Sequence, residues 1–242
     1  MTPGADFSGR TAALIGGAAG IGFQVASRFV AAGGRVVLGG RREDRLAAAA
    51  AELGDAARYR RVDTADQDSL AAFFDDLDTV DHLFVTAADY RVGAMRELTD
   101  ADARSPFESK FWGQYFAVRH ALPRIPPDGS IVLMSGAAGA RPAGSAPAYV
   151  ACNAALDGLG RGLAVELSPI RVNVVAPGTI DGNLWANRPA EIREAAFDHY
   201  RRETVLHRPG TEAEVADAVI FLFGNTFFTG TTLYPDGGWA LR

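Results

Sequence analysis

Lysine is almost absent from this chain. Lys110 is the one lysine among 24 Lys and Arg residues, so every other fixed positive charge is an arginine. Cysteine is nearly absent too. The single Cys152 excludes an internal disulfide and fits a reducing compartment. No apolar run reaches the roughly 18 residues that a membrane-spanning helix needs. The N-terminus lacks the charged-then-apolar pattern of a leader, and no spacing of His, Cys, Asp or Glu suits a metal. Positive charge is in deficit: the net charge is -5 and the pI about 5.4. The doublets Arg41-Arg42, Arg60-Arg61 and Arg201-Arg202 are too short to form a polybasic tail. These absences argue against a disulfide scaffold, a membrane protein and a non-specific nucleic-acid binder. The expectation is a cytoplasmic protein whose partner is a small molecule.

A full core is present. With 48% hydrophobic residues over 242 positions, the chain suits one large α/β domain, and no stretch reads as a linker. Short β-rich apolar runs fall at 11–15, 35–38, 57–62, 82–86, 130–134, 171–176 and 232–234. Helical patterns lie between them at 20–32, 42–53, 69–77, 99–122, 148–167 and 212–223. Repeated strand–helix alternation means parallel strands joined by crossover helices. Ile131-Val132-Leu133-Met134 is apolar on both faces, as a sheet covered on both sides requires. The expected architecture is a doubly wound, Rossmann-type parallel sheet of about seven strands flanked by helices. Ligands bind outside the carboxyl ends of such strands. One segment breaks the rhythm. Residues 183–207 follow a strand, yet read as amphipathic helix with the large side chains Leu184, Trp185, Ile192, Phe197 and Tyr200. They form either a lid over the site or a packed surface insertion.

After the first strand comes Gly16-Gly17-Ala18-Ala19-Gly20-Ile21-Gly22, opening a helix. Such a turn needs glycine where the chain reverses, where a pyrophosphate approaches the backbone and where helix meets strand. Gly16, Gly20 and Gly22 meet those needs, and Ala19 and Ile21 bring helix N–H groups to the phosphates. The second strand runs into Gly39-Gly40-Arg41-Arg42, with no acid to accept from ribose hydroxyls. Guanidinium forks suit phosphate oxygens and stack on adenine, so Arg41 and Arg42 favour NADP(H), with NAD(H) as the alternative. Asp63, followed by Thr64, is placed either to accept from the adenine amino group or to shape a turn.

On these residues the chain resembles the short-chain dehydrogenase/reductase family over nearly its whole length. The glycine turn, Asp63, Tyr149-Val150-Ala151-Cys152-Asn153, Arg171 through Gly178, and Thr229-Gly230 with Pro235-Asp236-Gly237-Gly238 carry the likeness. The resemblance implies a one-domain enzyme moving hydride between a nicotinamide and a carbonyl or alcohol. It also implies a homotetramer or homodimer through the fourth and fifth helices. Ala87 and Ala88, together with Pro177, Gly178 and Ile180, would border the cofactor.

The family's catalytic set is Asn, Ser, Tyr and Lys, and only Tyr149 matches cleanly. Four residues on, Asn153 stands where the lysine belongs. Gly136 occupies the serine position, with Ser135 beside it. Counting back from Gly113 puts Lys110 at the asparagine position, so lysine and asparagine have traded places. The Asn-Asn-Ala-Gly after the fourth strand reads Val85-Thr86-Ala87-Ala88, and Gly182 stands where a threonine is expected after Pro177-Gly178. An unassisted tyrosine titrates near pH 10, and a nearby ammonium favours its phenolate. Lys110 is therefore expected to restore that charge from the neighbouring helix, and Asn153 to donate to a cofactor ribose hydroxyl. Ser135, a backbone N–H near Gly136, or Thr86 would replace the missing serine hydroxyl. The leading reading is NADP(H)-dependent carbonyl–alcohol chemistry on a small apolar, cyclic or aromatic substrate. The alternative keeps the cofactor pocket for non-redox chemistry or cofactor sensing, with Lys110 as base or Schiff-base nucleophile. His82 and His120 read as packing residues, and Phe107, Phe111, Trp112, Tyr115 and Phe116 as a core and interface stripe.

Overall fold

The computed structural model describes residues 5–142, 144–186 and 188–242, with the backbone alone at Leu184. Ala143, expected in the pocket wall, and Asn187 with the Leu184 side chain, expected in the lid, lie outside the described residues.

Strands β1 (Thr11–Ile15), β2 (Arg35–Gly40), β3 (Ala57–Arg61), β4 (His82–Val85), β5 (Ser130–Met134) and β6 (Arg171–Val175) are followed by β7 (Ile180–Asp181), β8 (Gly210–Thr211) and β9 (Thr232–Leu233). Seven of them form one parallel sheet in the order β3-β2-β1-β4-β5-β6-β9. The order reverses between β1 and β4, which opens the crevice where such sheets bind ligands. Alternation along each strand fills both faces. Leu14, Phe84 and Val132 point into one apolar layer, while Ile15, Val85 and Leu133 point into the other. Phe29 and Phe84 are fully buried in the first layer, and truncating either to alanine should cost about 3–5 kcal/mol.

The helices are α1 (Gly20–Ala31), α2 (Glu43–Leu53), α3 (Gln67–Asp75), α4 (Asp100–Ser105), α5 (Gly113–Ala121), α6 (Pro147–Glu166), α7 (Asn183–Ala186), α8 (Ala190–Glu203) and α9 (Glu212–Gly224). The stretch expected as one helix over 99–122 changes its winding midway. Between α4 and α5, Pro106–Trp112 is π-helical. Pro106 has no N–H to donate and its ring crowds the preceding turn, which favours a widened turn there. The Cys152 thiol of α6 donates to the Pro106 carbonyl at 3.2 Å.

The 183–207 segment is α7 and α8, and it is bracketed by a ladder that the sequence did not reveal. Ile180 pairs with Gly210 and Asp181 with Thr211, so β7 and β8 tie its two ends together. Helix α8 lies on the body through Phe197 and Tyr200, both buried. Tyr200 stacks on Trp239 at 5.1 Å and donates to the Asp236 carbonyl at 2.9 Å.

Candidate active site

At the carboxyl end of β1 the chain turns under Thr86 and Ala87, whose N–H groups both donate to the Ile15 carbonyl at 2.8 and 3.2 Å. Gly16 has φ +95°, and a Cβ on it would stand 2.5 Å from Thr86 Oγ1. A Cβ on Gly22 would stand 2.2 Å from the Gly16 carbonyl oxygen, so helix and turn touch there and nothing larger fits. Ala19, the N-cap of α1, makes no side-chain cap bond to the first turn. This cradle of bare backbone at a helix N-terminus suits the pyrophosphate of a dinucleotide.

The remaining expected cofactor residues follow β2, β3, β4 and β6 along the chain. Arg41 and Arg42 are exposed where β2 ends, and Arg41 pairs with Asp89 at 3.2 Å. Asp63 shapes its own turn, with Oδ1 accepting from the Ala65 N–H at 3.1 Å. Thr64 packs against Gly113, where a Cβ would be 3.1 Å away. The Pro177 carbonyl accepts from the Ala137 N–H at 2.9 Å. Gly178 lies against the Tyr200 hydroxyl so closely that any side chain there would collide with it. Ile180 is partly buried on the core, as is Ile21 at the start of α1.

The lone lysine is buried, 4% exposed, on the π-helical segment. Its Nζ donates to Asn153 Oδ1 at 2.6 Å and to the Ser135 carbonyl at 2.8 Å. It lies 5.4 Å from the Tyr149 ring centre and 5.9 Å from that of Tyr90. Asn153, fully buried, turns its amide inward and donates from Nδ2 to the Tyr149 carbonyl at 2.8 Å. Asn153 thereby links Lys110 to the turn that carries Tyr149. Ser135 joins the cluster through its backbone, because its hydroxyl donates to the Asn153 carbonyl at 2.9 Å.

Two participants escaped the sequence reading. Gln114, 1% exposed and one turn beyond Lys110, accepts from the Met134 N–H at 2.7 Å and donates to the Met134 carbonyl at 2.9 Å. It fastens the lysine's helix to β5. A buried glutamine at i+4 from a buried lysine was its only signal. Tyr90 stacks on Tyr149 with ring centres 5.3 Å apart at 26°. Burial, and then the Tyr149 phenol beside it, push its own phenol far above the ordinary range. A Cβ on Gly136 would stand 3.2 Å from the Tyr149 hydroxyl, so the position where the family resemblance leads one to expect serine faces the phenol.

Residues 16–240 match the family described as enoyl-(acyl carrier protein) reductase. The chain is 35% identical to cis-4-hydroxycyclohexanecarboxylate dehydrogenase of Sinomonas cyclohexanicum, over 98% of its own length and 99% of that protein's. The chain belongs to the short-chain dehydrogenase/reductase family. It is an oxidoreductase of that type, and its sheet order and seven-stranded core are those of a Rossmann-like short-chain dehydrogenase/reductase. An uncharacterized short-chain type dehydrogenase/reductase of Sinorhizobium fredii is 34% identical, and the chain spans 98% of itself but only 46% of that protein's length. An NADPH-bound short-chain oxidoreductase of Pseudomonas aeruginosa PAO1, described as containing an atypical catalytic center, superposes with a TM-score of 0.88. The two are 26% identical, with 96% of this chain and 97% of that one covered. Among the described residues of this short-chain dehydrogenase/reductase, no group of three or more His, Cys, Asp or Glu could hold a metal, and no helix is long and apolar enough to cross a membrane.

Proposed function

We propose that this protein interconverts a carbonyl and an alcohol on a small apolar substrate of the cyclic or aromatic class, using NADP(H). The observation that carries this reading is Lys110 Nζ held 5.4 Å from the Tyr149 ring by Asn153 and the Ser135 carbonyl. When bound, the nicotinamide supplies or takes up the hydride. Tyr149 gives its phenolic proton to the carbonyl oxygen in reduction and takes it back in oxidation. Lys110, approaching from the π-helical segment rather than from α6, places its ammonium beside the Tyr149 ring, where negative charge develops as the proton leaves. Asn153 and Gln114 position that amine. Tyr90 takes the role of the missing serine: it is a neutral phenol beside Tyr149 that can donate to the substrate oxygen. Arg41 and Arg42 support NADP(H) over NAD(H), since the end of β2 offers forked donors and no acid.

The substrate class rests on the Tyr90–Tyr149 stack, on the absence of a side chain at Gly136 beside the Tyr149 hydroxyl, and on the hydroxycyclohexanecarboxylate named for the Sinomonas relative. Helix α8 is read as the cover of this cleft. A homo-oligomer would form on the face carrying Phe107 and Trp112, which line an open groove of about 490 Å³, and the adjacent α6. Titrating NADPH and NADH by fluorescence, then following NADPH consumption over cyclic, aromatic and linear ketones, tests the whole. NADPH binding with turnover of cyclic ketones supports it. Binding without turnover of any ketone favours the non-redox alternative, and absence of binding rejects both.

A further inference from the structure

The phosphate cradle has an unexpected neighbour in Glu212, the first residue of α9. Its Oε1 accepts from the Asn183 N–H, where α7 begins, at 2.9 Å. The same oxygen would be 3.1 Å from a Cβ on Gly20, whose φ is +58°, and 2.2 Å from a Cβ on Gly182. Three backbone segments therefore converge on one carboxylate: the opening of α1, the strand exit at Gly182 and the start of α7. A side chain at Gly182 would require this carboxylate to move.

An acid in the first turn of α9 is favourable through the helix dipole, and that accounts for an acid there. It does not account for where the carboxylate points. The capping box of α9 is made by Thr211 and Glu214, and the guanidinium of Arg208 pairs with Glu214. Among the described residues no salt bridge is made by Glu212, which instead takes a backbone N–H beside the glycine turn.

We propose that Glu212 is an internal anion that occupies the edge of the phosphate cradle and sets the affinity for the dinucleotide. An incoming pyrophosphate would bring a second anion beside this carboxylate at the Gly20 edge of the cradle, and like charges at close range repel, so the carboxylate must turn away. The displacement also breaks the bond from the Asn183 N–H to Glu212, which joins the start of α7 to α9. This inference rests on the cofactor reading above.

The test compares the wild-type protein with Glu212→Gln, which keeps size and an acceptor but removes the charge. Three ligands are titrated by calorimetry: NADPH, 2′-phospho-ADP-ribose, and adenosine 2′-monophosphate, which has no pyrophosphate. The variant should bind the first two about tenfold more tightly and the third within about twofold of wild type. Equal or weaker binding of the pyrophosphate ligands by Glu212→Gln overturns the inference and leaves the cofactor reading intact. An equal gain on all three ligands overturns it as well, since the effect would then be general. If neither protein binds NADPH, the cofactor reading itself falls and takes the inference with it. Binding by the variant alone supports both.

Discussion

Lys110 and Asn153 are hydrogen-bonded at 2.6 Å across two different helices. In the proposed reading, this contact keeps a lysine–asparagine pair at the tyrosine while the charge comes from the helix before α5 rather than from α6. Lys110→Asn is expected to lower kcat by about 100-fold or more, through loss of the positive charge beside the proton-transferring Tyr149. Adding Asn153→Lys should recover part of that loss, measured as kcat and KM on whichever ketone the wild type reduces. Activity of both Lys110→Asn and Tyr149→Phe equal to wild type would show that the proton passes elsewhere.

Removing the amine should also weaken the fold. In Lys110→Met, Asn153 Oδ1 and the Ser135 carbonyl lose their shared donor inside the protein. An unpaired buried acceptor costs about 1–3 kcal/mol. A lower denaturant midpoint with an unchanged slope is the expected result.

Tyr90 and Gly136 form a second testable pair. Tyr90→Phe keeps the stacked ring and removes the hydroxyl, and kcat should fall by about 10- to 100-fold. Gly136→Ser in that background reinstates a hydroxyl next to Tyr149 and should restore much of the rate. The new Cβ would sit 3.1 Å from Asn153 Oδ1 and 3.2 Å from the Tyr149 oxygen, so both side chains must give slightly. If Tyr90→Phe loses nothing, the substrate oxygen finds its donor in another group.

Arg41 and Arg42 determine the coenzyme choice in this reading. The double change to alanine should weaken NADPH binding by about tenfold and leave NADH nearly unchanged. Because Arg41 already pairs with Asp89, Asp89→Asn should tighten NADPH slightly by freeing the guanidinium. Calorimetric titration of both coenzymes against the three variants checks this.

A pH dependence of stability arises at the opposite end of the sheet. His82 is buried, bonded through Nδ1 to Ser130 Oγ at 2.8 Å, and burial lowers its pKa to about 4. Unfolded, the same imidazole titrates near 6.5. The unfolded chain therefore binds more protons between these values, and stability falls as the pH drops from about 6.5 toward 4. The expected slope from this group is at most about 1.4 kcal/mol per pH unit. Thermal melts of the wild type and His82→Phe across that interval should differ in slope, with the variant flatter.

Much of the fold was legible because its signals are long. Alternation of apolar strands with helical repeats defined the parallel sheet, and the glycine spacing located the crevice between β1 and β4. The π-helical turn was not legible, since its apolar spacing over a few residues resembles that of an α-helix and Pro106 alone does not announce it. The β7–β8 ladder was hidden for a related reason: two-residue strands carry no period. At the site, counting positions brought Lys110, Asn153 and Tyr149 to one place. It could not foresee that the Asn153 amide turns inward or that the Ser135 hydroxyl bonds a helix carbonyl, because side-chain direction depends on neighbours distant in sequence. Tyr90 and Glu212 were missed because each becomes relevant only through a partner far along the chain, Tyr149 in one case and the glycine turn in the other.

The widened coil at Pro106–Trp112 means that residues before and after it fall out of phase. The direction of the amine is thus set by the backbone winding together with its partners Asn153 and Ser135. Deleting one residue between Pro106 and Lys110, and so returning the stretch to regular pitch, would rotate the ammonium off the phenol while every catalytic side chain stayed in the chain. A family member carrying the same residues on an unbroken helix would present a different active centre from an almost identical sequence.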